Sequence, residues 1–196
     1  NTEIPHWDFD LIREQTRQKW NTELSAIDAQ MLSQNEMITF YTALYHTFLS
    51  PIIYEDVDGQ YRGLDQNVHQ SSGFTNYTVF SLWDTYRALH PLFNILQPKR
   101  NNDMIHSMLA HYDQSVHSML PIWSHYANEN WCMLGYHAAS VIADAVAKNV
   151  GDFDRKRALE ASVSTANVKY FDGLGDYLKY GYVPDDKSHS SVSKTL

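Results

Sequence analysis

Apolar positions along this chain recur mostly at the three- and four-residue spacing of amphipathic helices, with one stretch that breaks the pattern. Phe9, Ile12, Trp20, Leu24 and Ile27 mark the inner side of a helix over Asp8–Ile27, with Arg13, Glu14, Arg17 and Lys19 outside. Asp8 or Asp10 can cap its start. Ser33 opens a second helix: Ser33 with Glu36 matches a capping box, Met37, Phe40, Tyr41, Leu44, Tyr45 and Phe48 form its apolar side, and Pro51 closes it. Ile52–Leu64 then switches to β-branched and aromatic residues around Asp58-Gly59, which predicts a hairpin. Asp65–Ser72 is polar and predicts a loop. Asp56-Val-Asp58-Gly59 has the composition of a calcium loop without its ligand spacing.

Gly73–His90 (GFTNYTVFSLWDTYRALH) is the stretch around which the chain is organised. It begins extended and runs into a helix carrying Leu82, Tyr86 and Leu89, so Trp83 and Asp84 fall near a helix N-terminus. Two readings of that pair stand side by side. The helix dipole favours a carboxylate there. An indole beside a carboxylate is also how proteins hold sugars, the ring covering C–H faces and the carboxylate accepting from hydroxyls. Further helices are expected over Asn102–Pro121, Cys132–Val146 and Asp154–Tyr170, the last capped by Asp154. A Gly-, Tyr- and Asp-rich connection spans Phe171–Lys187, and a final helix begins around Ser190–Ser193. Helices joined by short loops, with one β excursion and no fixed-period repeat, indicate an all-α array of helical hairpins closed as an α/α toroid rather than a solenoid.

Composition narrows the function classes. Hydrophobic content is 43% and charged content 19% in 196 residues, as in an ordinary globular domain. A net charge of −8 argues against nucleic acid or an anionic membrane as the main partner. No apolar run reaches the roughly 18 residues of a membrane span. Cys132 is the single cysteine, which excludes an intrachain disulfide and a multi-cysteine metal site. The chain starts at Asn1 and stops as a helix begins, so it is expected to be an internal piece of a longer polypeptide.

Several residues could carry chemistry. Glu129 lies between two helices and is flanked by Tyr126 and Trp131. It is either a general acid with a desolvated carboxyl or a helix-terminal carboxylate. His106, His111 and His117 share a predicted helix, but their spacings do not make the i, i+4 pair of a zinc helix. His125 and His137 flank the Glu129 loop, and His137 could line a cleft or bond a backbone carbonyl. Asn76-Tyr77-Thr78 is a glycosylation sequon. Glycine-rich phosphate loops and nucleophile-elbow motifs are absent from the sequence.

Phe40–His46, Asp56–Gly63, Phe74–Thr85, Arg87–Pro91, Asn130–Ala145, Tyr170–Tyr177 and Ser191–Leu196 together resemble glycoside hydrolase family 92 over nearly the whole chain. The resemblance implies a calcium-dependent, exo-acting α-mannosidase that inverts configuration on mannans and N-glycans, bacterial and exported (secreted, periplasmic or at the cell surface). It implies an N-terminal β-sandwich followed by an (α/α)6 toroid, of which residues 1–196 would be the first part. Sandwich and remaining toroid would lie outside the chain. By the same resemblance Trp83 and Asp84 belong to the mannose subsite and Glu129 is the general acid. The general base comes from a downstream motif, so the 196 residues alone should not turn over. One segment departs from the family pattern: Asp185-Asp186-Lys187-Ser188-His189-Ser190 stands where calcium ligands are expected, and His189 and Ser190 are poor hard-oxygen ligands. Asp185 and Asp186 are either substitute acceptors for sugar hydroxyls or the solvated end of a loop. The rival reading is a non-catalytic carbohydrate-binding protein derived from the same fold.

Overall fold

The computed structural model describes residues 4–188 and 190–195. The chain divides into two compact units, Asn1–Pro51 and Ile52–Leu196.

The first unit is a pair of helices. α1 spans Phe9–Leu24, and the Asp8 side chain caps it by accepting from Leu11 N at 3.1 Å. α2 spans Gln34–Thr47 and starts with the expected capping box, Glu36 N donating to Ser33 Oγ while Glu36 Oε2 accepts from Ser33 N. Tyr41 ties the connection down, its hydroxyl donating to Ile27 O and accepting from Ala29 N. Trp20 and Tyr45 meet at 4.6 Å between ring centroids. α1 ends three residues before the predicted Ile27, and Phe9, assigned to its inner side, is 76% exposed.

The second unit carries the remaining elements. β1 (Ile52–Ile53) pairs antiparallel with β4 (Tyr77–Thr78), and β2 (Gln60–Arg62) pairs with β3 (Val68–Gln70). The predicted hairpin over Ile52–Leu64 is thereby corrected. Its turn exists, with Gly59 at φ +80° and Gly59 N bonded to Asp56 O. The ladder of β2, however, runs to β3, inside the segment predicted as loop. Asp58 spends its carboxylate on Gln60 N and Nε2, closing its own turn rather than facing a cation.

α3 (Leu82–Thr85) and α4 (Leu89–Leu96) replace the single helix expected through Leu89. Pro91 explains the break. A helix continuing from Leu82 would hold Pro91 in its interior, where the missing N–H and the ring are not tolerated; a helix starting at Leu89 places it in the first turn. α5 runs Pro98–Gln114, four residues earlier than predicted at its start and seven shorter at its end, with Pro98 at its N-terminus. α6 (Ala138–Ala147), α7 (Arg155–Thr165, capped by Asp154 as expected), α8 (Leu174–Tyr180) and α9 (Ser191–Thr195) complete the unit. α8 lies inside the predicted connection. α6 begins six residues later than the predicted Cys132, because Met133 and Gly135 hold left-handed backbone at φ +68° and +79°.

The core gathers around α5, which contacts α4, α6 and α7. Phe93, Met104, Ile105, Met108, Val141, Ala158 and Ala161 are almost completely buried there. Each large side chain so buried contributes about 1.5–3 kcal/mol. A polar chain crosses this core. His90 Nδ1 lies 2.7 Å from Asn101 Oδ1, Asn101 Nδ2 donates to Asn94 Oδ1, and Asn94 Nδ2 donates to Asp144 Oδ2, which also accepts from Lys148. Because Asn101 Oδ1 can only accept, Nδ1 carries the His90 proton. A second cluster of Met119, Ile122, Val168 and Phe171 supports the segment that leads to Glu129. The array is mainly helical with small antiparallel hairpins, in agreement with the expected class.

Candidate active site

β5 (Ser124–His125) and β6 (Asn128–Glu129) form a hairpin of two residues each, with Ser124 opposite Glu129. The turn is Tyr126-Ala127, Tyr126 taking φ +54°. Glu129 turns its carboxylate into the backbone. Oε1 accepts from Trp123 N at 2.8 Å and Trp131 N at 3.0 Å, and Oε2 accepts from Ile122 N at 2.9 Å. The side chain is 5% exposed. These three N–H groups lie outside the hairpin ladder and would otherwise lack partners, so one carboxylate holds together the strands' entry and exit. His111 on α5 packs against it, with Nε2 3.6 Å from Oε2. Burial pushes the His111 imidazole down to about 3.

The chain leaving Glu129 becomes one wall of a cavity of about 560 Å³. Trp83, Tyr86, Arg87, Tyr136, His137 and Phe171 supply most of its aromatic and cationic lining. Arg87 stands over two rings, its guanidinium carbon 5.2 Å from the Trp83 centroid and 5.0 Å from that of Tyr86. Arg87 thereby covers one indole face by cation–π attraction. His137 stacks on Tyr86; burial lowers its pKa, the backbone bond with Leu134 opposes this, and the Arg87 charge adds to the lowering. On the other side Asp172 and Lys194 form an ion pair within the lining. Apolar ring faces combined with a few fixed polar groups suit a polyhydroxylated ligand: rings cover C–H faces, and charged and imidazole groups meet hydroxyls.

Of the site residues expected from the sequence, Trp83 lines this cavity. Asp84 sits exposed in the first turn of α3, outside the lining. Asp185 and Asp186 are exposed in a turn; Asp185 accepts weakly from Ser191 Oγ at 3.4 Å, and Asp186 pairs with Lys187 at 3.7 Å. Glu129 does not line the cavity, though its hairpin leads into the wall. Tyr86, Arg87 and the Asp172–Lys194 pair were not singled out in the sequence. Arg87 adjoins Trp83 and could have been found as its helical neighbour four positions on; Asp172 and Lys194 meet only through tertiary structure. Three other expectations resolve here. His106 bonds Asp152, His117 lies beyond the end of α5 and bonds the Tyr170 hydroxyl, and His137 both lines the cleft and bonds the Leu134 backbone. Asn76 of the sequon is 5% exposed and its Nδ2 donates to Tyr54 O, so the folded chain offers no glycosylation site there.

His189, one of the residues standing at the expected calcium position, lies outside the described residues. Among the described residues no three His, Cys, Asp or Glu side chains converge as a cation site.

The sequence profile of the glycosyl hydrolase family 92 catalytic domain matches residues 1–196. Among solved structures, the family GH92 α-mannosidase BT3965 from Bacteroides thetaiotaomicron is 52% identical with a TM-score of 0.93, covering 99% of this chain and 26% of that one. The same protein in complex with mannoimidazole gives the same identity and TM-score. The family GH92 inverting mannosidase BT2199 from Bacteroides thetaiotaomicron VPI-5482 is 32% identical with a TM-score of 0.84, over 94% of this chain and 26% of that one. No curated protein sequence matches. The chain thus spans about a quarter of the length of these relatives. With its whole length matched by one profile and its backbone superposing on these structures, the chain belongs to the glycosyl hydrolase family 92 catalytic domain.

Proposed function

We propose that the protein containing this chain is an inverting, exo-acting α-mannosidase, exported, that removes mannose from mannan or N-glycan chains, and that the chain forms part of its (α/α)6 catalytic toroid. The observation that carries this reading is the 52% identity, at a TM-score of 0.93, to a protein named as an α-mannosidase. That relative's mannoimidazole complex favours catalysis over sugar binding alone. In this reading the Trp83 indole packs against the mannose ring, with Arg87 and His137 beside it. Asp84, Asp185 and Asp186 stand outside the cavity, so a binding role for them requires sugar beyond it. The calcium that the family resemblance implies would need ligands beyond a cluster of described carboxylates and imidazoles, such as backbone or amide oxygens or groups from the rest of the protein.

Glu129 takes the part of general acid. Inversion needs one carboxylic acid to protonate the leaving oxygen and a second carboxylate, roughly 6.5–9.5 Å away, to activate water. The resemblance assigns that second group to sequence beyond Leu196. The three N–H bonds hold the Glu129 carboxylate in one rotamer. They also favour a second reading of Glu129, as the anchor that shapes the Ile122–Trp131 loop.

Glu129→Gln in the full-length protein separates the two. As the acid, Glu129→Gln lowers turnover on α-mannobiose by about 10²–10⁴-fold and much less on an activated aryl α-mannoside, whose leaving group needs little protonation. An equal loss on both substrates would overturn the acid role and leave the anchor.

A further inference from the structure

His111 bridges a cross-strand pair. Its Nδ1 is 3.2 Å from Ser124 Oγ, its Nε2 is 3.6 Å from Glu129 Oε2, and Ser124 and Glu129 face each other across the β5–β6 hairpin. All three side chains are buried, with His111 6%, Glu129 5% and Ser124 3% exposed. A neutral imidazole has one N–H and one lone pair, an ionised carboxylate only accepts, and a hydroxyl does either. One arrangement satisfies all three groups: the Ser124 hydroxyl donates to Nδ1, and Nε2–H points at Glu129. The donor set of the carboxylate then becomes even. Oε1 faces the N–H groups of Trp123 and Trp131, and Oε2 faces Ile122 N–H and the imidazole. At 3.6 Å the last contact is longer than a hydrogen bond, as is common for catalytic groups before substrate tightens the site.

Building on the assignment of Glu129 as general acid, we infer that His111 is a positioning residue for it, presenting Nε2 to the carboxylate while Ser124 holds Nδ1. The ring suits both protonation states. When Glu129 is protonated, its O–H donates to Nε2 and Nδ1–H donates to Ser124 Oγ. The change adds one proton overall: Nε2–H passes to the carboxylate, the Ser124 hydroxyl hydrogen passes to Nδ1, and the incoming proton joins Oγ, so the imidazole stays neutral throughout. The other titratable side chains on the 20 Å³ cavity beside His111 are Tyr54, Tyr61, Tyr77, Tyr126 and Arg62.

The test compares His111→Phe, His111→Gln and Ser124→Ala with Glu129→Gln in the full-length protein, on α-mannobiose and on an activated aryl α-mannoside. His111→Phe, which keeps bulk and removes the donor, is expected to lower kcat/KM on mannobiose by about 10–100-fold, the loss typical of a misplaced catalytic group, with little change on the aryl substrate. His111→Gln, whose amide can donate from near the Nε2 position, restores most of it. Equal losses on both substrates, or a folded His111→Gln as poor as His111→Phe, would show a merely structural residue. Should His111→Phe not fold, Ser124→Ala carries the test: a smaller loss confined to mannobiose supports the inference, and no loss or an equal loss overturns it. If Glu129→Gln shows the leaving-group split and the His111 and Ser124 variants do not, only this inference fails. If Glu129→Gln itself shows no split, the acid assignment fails, and the inference with it.

Discussion

Tyr86 and His137 lie face to face, with ring centroids 4.1 Å apart and planes 6° from parallel. The pair joins the end of α3 to the start of α6 across the cavity wall. Gly135 makes room for it: at φ +79° it holds left-handed backbone, and a Cβ there would meet His137 Nε2 at 2.7 Å.

Gly135→Ala is therefore strained twice, by its backbone and by the His137 ring. It is expected to destabilise the protein by at least about 1 kcal/mol and to weaken mannoside binding by displacing His137. Thermal melting combined with titration calorimetry of the full-length protein checks both effects. A variant with wild-type stability and affinity would contradict the packing argument.

Stability should fall on mild acidification. Burial pushes His90 down to about 4 and His111 to about 3, from an ordinary value of 6.5. For a depressed histidine the unfolded chain takes up the proton first. The contribution is thus complete above about pH 6.5 and is lost as pH falls toward 4 and then 3. Melting temperature followed from pH 7.5 to 4.5 should decline through this window. His90→Asn keeps a donor near the Nδ1 position for Asn101 but cannot titrate, so its decline should be shallower; an unchanged slope would remove His90 from the account.

Glu129→Ala leaves three backbone N–H groups without their acceptor. Ile122 N and Trp123 N are part-buried, and each unmet donor of that kind costs about 1–3 kcal/mol, so this variant should be less stable than Glu129→Gln, whose amide oxygen can still accept two of the three N–H bonds. The near-ultraviolet circular dichroism of Trp123 and Trp131 should change with it. Equal stability of the two variants would mean that the cradle contributes little.

Trp83→Ala should raise the dissociation constant for mannose-type ligands in the full-length protein, because the sugar loses a stacking face. Arg87→Ala should change affinity as well, since its guanidinium packs on the same indole. Calorimetry that finds Trp83→Ala unchanged would remove the indole from the site.

Much of the fold was legible residue by residue. Ser33 and Glu36 announced the start of α2, Asp154 that of α7, and the apolar spacing of Ile105, Met108 and Leu109 the core face of α5, because capping and amphipathic periodicity act within a few residues. The structure differs from the sequence pattern where strand pairing or backbone conformation overrode local periodicity. Tyr61 pairs with His69 rather than with the first strand, and the left-handed backbone at Met133 and Gly135 delays α6 by six residues. Pro91 carries within the sequence the reason for splitting α3 from α4, because its ring and missing N–H outweigh the apolar spacing of Leu82, Tyr86 and Leu89.

For the site, the sequence alone determined the family resemblance and the residue types worth watching: an indole with a carboxylate at Trp83-Asp84, and an acid in a loop at Glu129. Tertiary structure decided which of them face the same space. It placed Trp83 in a cavity and Asp84 outside it, turned Glu129 into backbone donors from residues on both sides of its hairpin, and brought His111 from α5 against it. It also joined Asp172 to Lys194. The physical reason is range. Caps and helical faces are set by neighbours three or four positions away, whereas burial and the pairing of charges depend on residues that only packing brings together.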